Sequence, residues 1–212
     1  MNRPGPSRRM TRVVALTGTP GVGKTTVAAW LGASHRSASL RWIEVQDMLP
    51  HSRRSAPRRE PQRRVPVRVD LAHLAHLVRR HRHDGRDGTL LIIGHLSHLL
   101  PVQDVFLLRA SPVALERRLA RRGETERSRR ENAEAERIDL ILQEALALGR
   151  TVYEFDTTGQ RPRTVAGWLR HALNGDLPPR HGVVDWLSTH PPHPEGARTG
   201  RRDASLFQTP KT

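Results

Sequence analysis

The chain has 212 residues, 36% of them hydrophobic, which is enough for one α/β domain with a sizeable core and too little for two ordinary domains with linkers. It contains no cysteine, which excludes a disulfide framework and a thiolate metal site, and no apolar run reaches the roughly 18 to 20 residues that span a bilayer, so a soluble, cytoplasmic protein is expected. The formal net charge is +15, and of 36 strong cations only Lys24 and Lys211 are lysines; such a surplus attracts RNA or another polyanion through counterion release, while a solvated basic surface is the plainer reading of charge alone.

Residues 1–11 read as a disordered leader. Residues 13–16 (VVAL) are a short apolar run opening into Gly-Thr-Pro-Gly, a buried strand followed by a loop. A helix is predicted from Lys24 through Ala28, Ala29 and Leu31, then a strand at 42–45, then a helix at 71–80 with Leu71, Leu74, Ala75 and Val78 on one face. Strands follow at 90–93 and 105–108. Pro112 opens a helix to 121, and 131–148 reads as one longer helix with Ile138, Ile141, Leu142 and Ala145 inward. A fifth strand at 152–155 and a closing helix at 165–173 complete the pattern. Strands that alternate with helices and are continuously apolar predict a parallel sheet covered on both faces, hence a three-layer α/β sandwich around five parallel strands. The arginine- and proline-rich stretch 51–69 and the Pro-, His- and Gly-rich stretch 174–212 lack any core periodicity and are expected to be loop, lid or tail.

Residues 18–25 (GTPGVGKT) satisfy G-x-x-x-x-G-K-[ST], with an apolar strand before and a helix after, the context this phosphate-binding loop requires. Gly21 and Gly23 let successive backbone N–H groups turn towards phosphate oxygens, and the new helix adds its positive end. Lys24 is expected to reach the β- and γ-phosphates, the Thr25 hydroxyl to ligate Mg²⁺, and Thr26 to donate to the α-phosphate. A chain that otherwise prefers arginine places lysine where the loop needs a compact ammonium. The expected cofactors are ATP and Mg²⁺.

The run 16–26 (LTGTPGVGKTT) resembles the loop of the atypical adenylate kinases that also serve in maturation of the small ribosomal subunit, and 94–101 (GHLSHLLP) resembles the segment after the third strand in their archaeal members. Residues 107–109 (LLR), 115–119 (LERRL), 122–123 (RG), 131–136 (ENAEAE) and 152–159 (VYEFDTTG) fall in that family's order and spacing, so the resemblance covers about 12–173. It implies a P-loop nucleoside monophosphate kinase of broad specificity with ATPase activity, taking ATP and a monophosphate, AMP first. The expected partners are a small-subunit ribosomal protein and rRNA, and no membrane. It also implies a flap at about 44–69, a lid at about 121–131 with Arg122 contacting ATP, and a flexible tail at 174–212. Arg109 would help neutralise the transferring phosphoryl. His95 would act on a water or the monophosphate, or else be a hydrogen-bonded loop residue.

Two departures stand out. Relatives carry an acidic residue two positions before the histidine that matches His95, where this chain has Ile93; Asp47 and Asp70 lie in segments that could approach the site instead. The flap, acidic and tyrosine-containing in relatives, is here basic. These leave a second reading, a catalytically weakened ATP-binding ribosome-assembly factor, and a third, another P-loop small-molecule kinase.

Overall fold

The unbroken apolar runs become the five strands of one sheet in the computed structural model, which describes residues 11–34, 40–49, 69–83 and 87–189. They are β1 (Arg12–Thr17), β2 (Leu40–Glu44), β3 (Thr89–Ile93), β4 (Asp104–Arg109) and β5 (Thr151–Asp156), all parallel, in the order β2-β3-β1-β4-β5. Parallel neighbours must be joined by crossovers, which put helices on both faces and bury both sides of each strand. Thus Val14 and Leu16 pack towards α1 (Lys24–Ser34), α3 (Pro112–Arg121) and α6 (Pro162–Asn174), whereas Val13 and Ala15 pack towards α2 (Leu71–Arg82) and α5 (Leu140–Ala147). The three-layer expectation holds. Among the described residues no helix is long and apolar enough to cross a membrane.

The topology also positions a site. The chain leaving β1 travels outward past β3 to β2, while the chain leaving β3 crosses to β4 on the other side of β1. Such a reversal opens a crevice beyond the carboxyl ends of the strands, and Thr17 and Ile93 are the last residues of β1 and β3.

Two expectations need correction. The single helix at 131–148 is two, α4 (Glu126–Arg137) and α5, broken at Asp139, whose φ is +56°. The cause lies in β4: Arg109 Nη2 donates to the Glu136 carbonyl at 3.0 Å, the acceptor that residue 140 would use in an unbroken helix. α4 starts earlier than expected because the Thr125 hydroxyl caps it, accepting from Ser128 N–H at 3.2 Å. Of the expected tail, residues 180–183 lie against β5: Glu154 N–H donates to the Arg180 carbonyl at 2.9 Å, Val183 N–H donates to the Glu154 carboxylate at 2.7 Å, and Trp186 beyond them is buried. The basic stretch of the expected flap, the leader up to residue 10 and the tail beyond 189 fall outside the described residues; of the flap's near end, Val45–Met48 forms one tight helical turn.

Candidate nucleotide-phosphate site

Between the end of β1 and the start of α1, residues 18–23 turn through the crevice on three glycines with positive φ: Gly18 at +134°, Gly21 at +99° and Gly23 at +106°. Side chains are largely shut out of that region. Two of the three also lack room: a Cβ on Gly18 would sit 2.3 Å from the Leu108 carbonyl oxygen, and one on Gly21 2.8 Å from Leu115 Cδ1. Gly23 faces open space. The loop therefore presents bare backbone at the start of α1, where unpaired N–H groups and the helix dipole favour an anion.

Lys24 folds back over this loop and donates to the Gly18 carbonyl at 2.6 Å and the Thr19 carbonyl at 3.1 Å. Burial pulls its pKa from 10.5 to about 8; Glu136 opposes the fall and the positive charge of Arg122 adds to it. Two carbonyl dipoles are weak company for a buried ammonium, and a phosphate is better. Thr25 and Thr26 stand exposed on the first turn of α1.

Beside the loop lies a hollow of about 340 Å³, lined by Gly21, Gly23 and Thr26, by Arg118 and Arg122 at the end of α3, and by Thr157 and Gln160 after β5. A cleft of this size falls at the lower end of small-ligand sites. Arg122 thus shares the cleft with the loop. Arg118, Thr157 and Gln160 line the same hollow, and nothing in the local sequence signals them. Arg118 donates to the Val22 carbonyl at 3.3 Å and the Thr157 carbonyl at 3.0 Å, and burial lowers its pKa. It braces the loop from outside. Seven arginines between 117 and 130 hid it, because nothing local distinguishes a bracing arginine from a solvated one.

The loop after β3 closes the other side. His95 is exposed at the crevice, and its pKa is lowered by partial desolvation and then by the charges of Lys24 and His98. The ring is largely neutral at pH 7, and its backbone is tied to the end of β1, where the Thr17 hydroxyl donates to the His95 carbonyl at 3.2 Å. His98, unremarked in the sequence, is buried: Nδ1 lies 3.1 Å from Thr17 Oγ1 and Nε2 2.8 Å from Glu144 Oε2. Ile93 is 3% exposed, within the core, and the residue beside it in register on β2 is Glu44. Adjacent residues of a parallel pair point to the same side of the sheet, so a carboxylate stands one strand away from the vacant acidic position. Asp70 is spent as the cap of α2, accepting from His73 N–H at 3.0 Å. Asp47 lies in the turn after β2.

Arg109 is not where a phosphoryl group could meet it. It is 2% exposed and its guanidinium is enclosed by acids: Nε donates to Glu136 at 2.7 Å, Nη1 to Glu154 at 2.6 Å, and Nη2 to the Asp139 carboxylate. Burial opposes its charge, yet Glu136 and Asp139 hold its pKa above the ordinary arginine value. Its place is in the wall behind the loop.

The AAA domain family profile matches residues 14–139. A Pyrococcus furiosus protein named "Putative adenylate kinase" is 34% identical over 178 residues, covering 84% of this chain and 93% of its own. Proteins of the same name from Thermococcus onnurineus and Natronomonas pharaonis are 36% and 35% identical, covering 82% of this chain and 91% and 96% of theirs. The chain belongs to this family. Among solved structures, the tunicamycin resistance protein of Deinococcus radiodurans matches with a TM-score of 0.51 at 19% identity, over 78% of this chain and 96% of that one. An uncharacterized protein from Eubacterium ventriosum matches with a TM-score of 0.51 at 10% identity, over 78% of this chain and 99% of that one. Those two likenesses concern the fold, and family and fold agree on an adenylate kinase-like P-loop sandwich.

Proposed function

We propose that this protein is an ATP-dependent nucleoside monophosphate kinase, with AMP the first acceptor to test, and that it also hydrolyses ATP slowly. The observation that carries this reading is the glycine loop with Lys24 folded back over it and Arg122 lining the hollow beside it. Phosphoryl transfer asks little covalent chemistry of a protein and much positioning and charge stabilisation. The loop amides and Lys24 would hold the phosphates of ATP, and Arg122 would cover them from the lid. A neutral His95 would accept a hydrogen bond from the acceptor or from water.

Mg²⁺ suits the donor set. It binds through one or two protein oxygens together with phosphates and water, and the exposed Thr25 hydroxyl and the Glu44 carboxylate on the rung of Ile93 are oxygens of that kind. When bound, the ion neutralises charge on the transferring phosphates.

Incubation with ATP, Mg²⁺ and AMP tests the proposal. ADP formation that depends on AMP and vanishes in Lys24→Ala supports a kinase, whereas phosphate release independent of AMP supports an ATPase alone. The buried Ile93 favours a second reading, an ATP-binding assembly factor for the small ribosomal subunit in the cytoplasm, held to a ribosomal protein or rRNA. The +15 charge supports the RNA part of that reading. Its mark would be RNA binding that weakens by about two or more orders of magnitude between roughly 50 and 200 mM salt; absence of binding at low salt would reject it.

A further inference from the structure

Glu136, in the last turn of α4, joins three parts of the molecule. Its Oε1 accepts from Arg109 Nε at 2.7 Å and from Ala110 N–H at 3.1 Å, both at the end of β4, and its Oε2 accepts from the Thr19 hydroxyl of the phosphate loop. The residue is 3% exposed and Thr19 is 2% exposed. A carboxylate so deeply buried is tolerated only with such donors around it. Thr19 is also where Lys24 rests, since its carbonyl accepts from Nζ at 3.1 Å. α4, in turn, leads out of the segment assigned to the lid.

We propose that Glu136 is a positioning residue for the nucleotide phosphates: it ties the Thr19 peptide, and with it the resting place of Lys24, to the base of the lid helix. The inference rests on the reading of the loop as an ATP site. A phosphate that draws Lys24 off the Thr19 carbonyl acts on one end of this tie, and any swing of α4 acts on the other. This buried side chain therefore ties the loop to α4 directly, beside the brace that Arg118 of α3 makes to the Val22 carbonyl.

A mere structural brace would lower stability when removed and leave the ATP affinity of the folded protein untouched.

Calorimetric titration of Mg·ATP at pH 7 separates the two, on wild type, Glu136→Gln, Thr19→Val and Thr19→Ser, with melting temperatures recorded alongside. Thr19→Val removes the hydroxyl that donates to Glu136 and should weaken ATP about tenfold or more, the size of one charged hydrogen bond. Thr19→Ser keeps the hydroxyl and should restore the affinity. A folded Glu136→Gln protein should also bind ATP more weakly than wild type. Equal ATP affinities for wild type and the Thr19→Val and Thr19→Ser variants overturn the proposal, whether or not Glu136→Gln folds. A wild type that binds no ATP would refute the site reading itself, which is a separate outcome.

Discussion

Replacing Lys24 by methionine keeps the unbranched stem one atom shorter and removes its charge, and the structure sets the size of the response. Folding lowers the amine's pKa from 10.5 to about 8. Below the lower value both states hold the proton and the folded state bears the whole cost of burying it. Between the two values the unfolded chain binds more protons, so stability rises with pH; above the upper value the cost is gone. At about 1.36 kcal/mol per pH unit the penalty at pH 7 is at most about 3 kcal/mol, of which about 2.5 kcal/mol disappears by pH 10. Lys24 sits at a partly open crevice, where solvent screening makes both figures upper bounds. Methionine carries no such dependence, so wild type should gain up to about 5–10 °C in melting temperature on Lys24→Met between pH 7 and pH 10. Scanning calorimetry of both nucleotide-free proteins across that range reads the gap directly. A gap that does not change with pH would refute the reasoning, because it would mean that the ammonium is solvated in the folded state. The same variant should fail to bind ATP, since the cation that is costly to bury in the folded protein is the one that a phosphate neutralises.

Arg109→Leu should leave Glu136, Asp139 and Glu154 without their shared cation and cost about 3–5 kcal/mol, seen in urea unfolding; a loss under about 1 kcal/mol would mean that the acids are protonated or solvated. Gly18→Ala should prevent soluble expression or lower the melting point sharply, because its Cβ meets the Leu108 backbone. Gly23→Ala, with open space before it, should cost only about 1–2 kcal/mol of stability from its positive φ while weakening ATP binding, as denaturation and titration of the same protein would show. Glu44→Gln should slow turnover about tenfold, equivalent to about 1.4 kcal/mol, with ATP affinity little changed, and Ile93→Glu in that background should recover the rate; steady-state kinetics in which Glu44→Gln behaves as wild type would remove Glu44 from the metal's surroundings.

The sheet was legible in the chain because a parallel strand buried on both faces has to be apolar without a break, and 13–16, 90–93 and 105–108 meet that demand locally. The phosphate loop was legible for a related reason. Its chemistry needs a strand end, glycines free to take positive φ, a lysine and a helix start within a few consecutive residues, so the whole device is written in one window. The rest could not be read there. The break at Asp139 depends on a guanidinium 30 residues upstream, and the docking of 180–186 depends on the carboxylate of Glu154. Arg109 looked like one more arginine at a strand end. Only its enclosure by three acids, brought together from α4, the α4–α5 junction and β5, assigns it to the wall rather than to the phosphates. Glu136 stands 117 residues from Thr19 in the chain and within hydrogen-bonding distance in the fold. Local sequence specifies what a short segment can form by itself, whereas the partner of a buried charge is chosen by whichever distant segment the packed layers bring against it, and that choice is made by the tertiary structure alone.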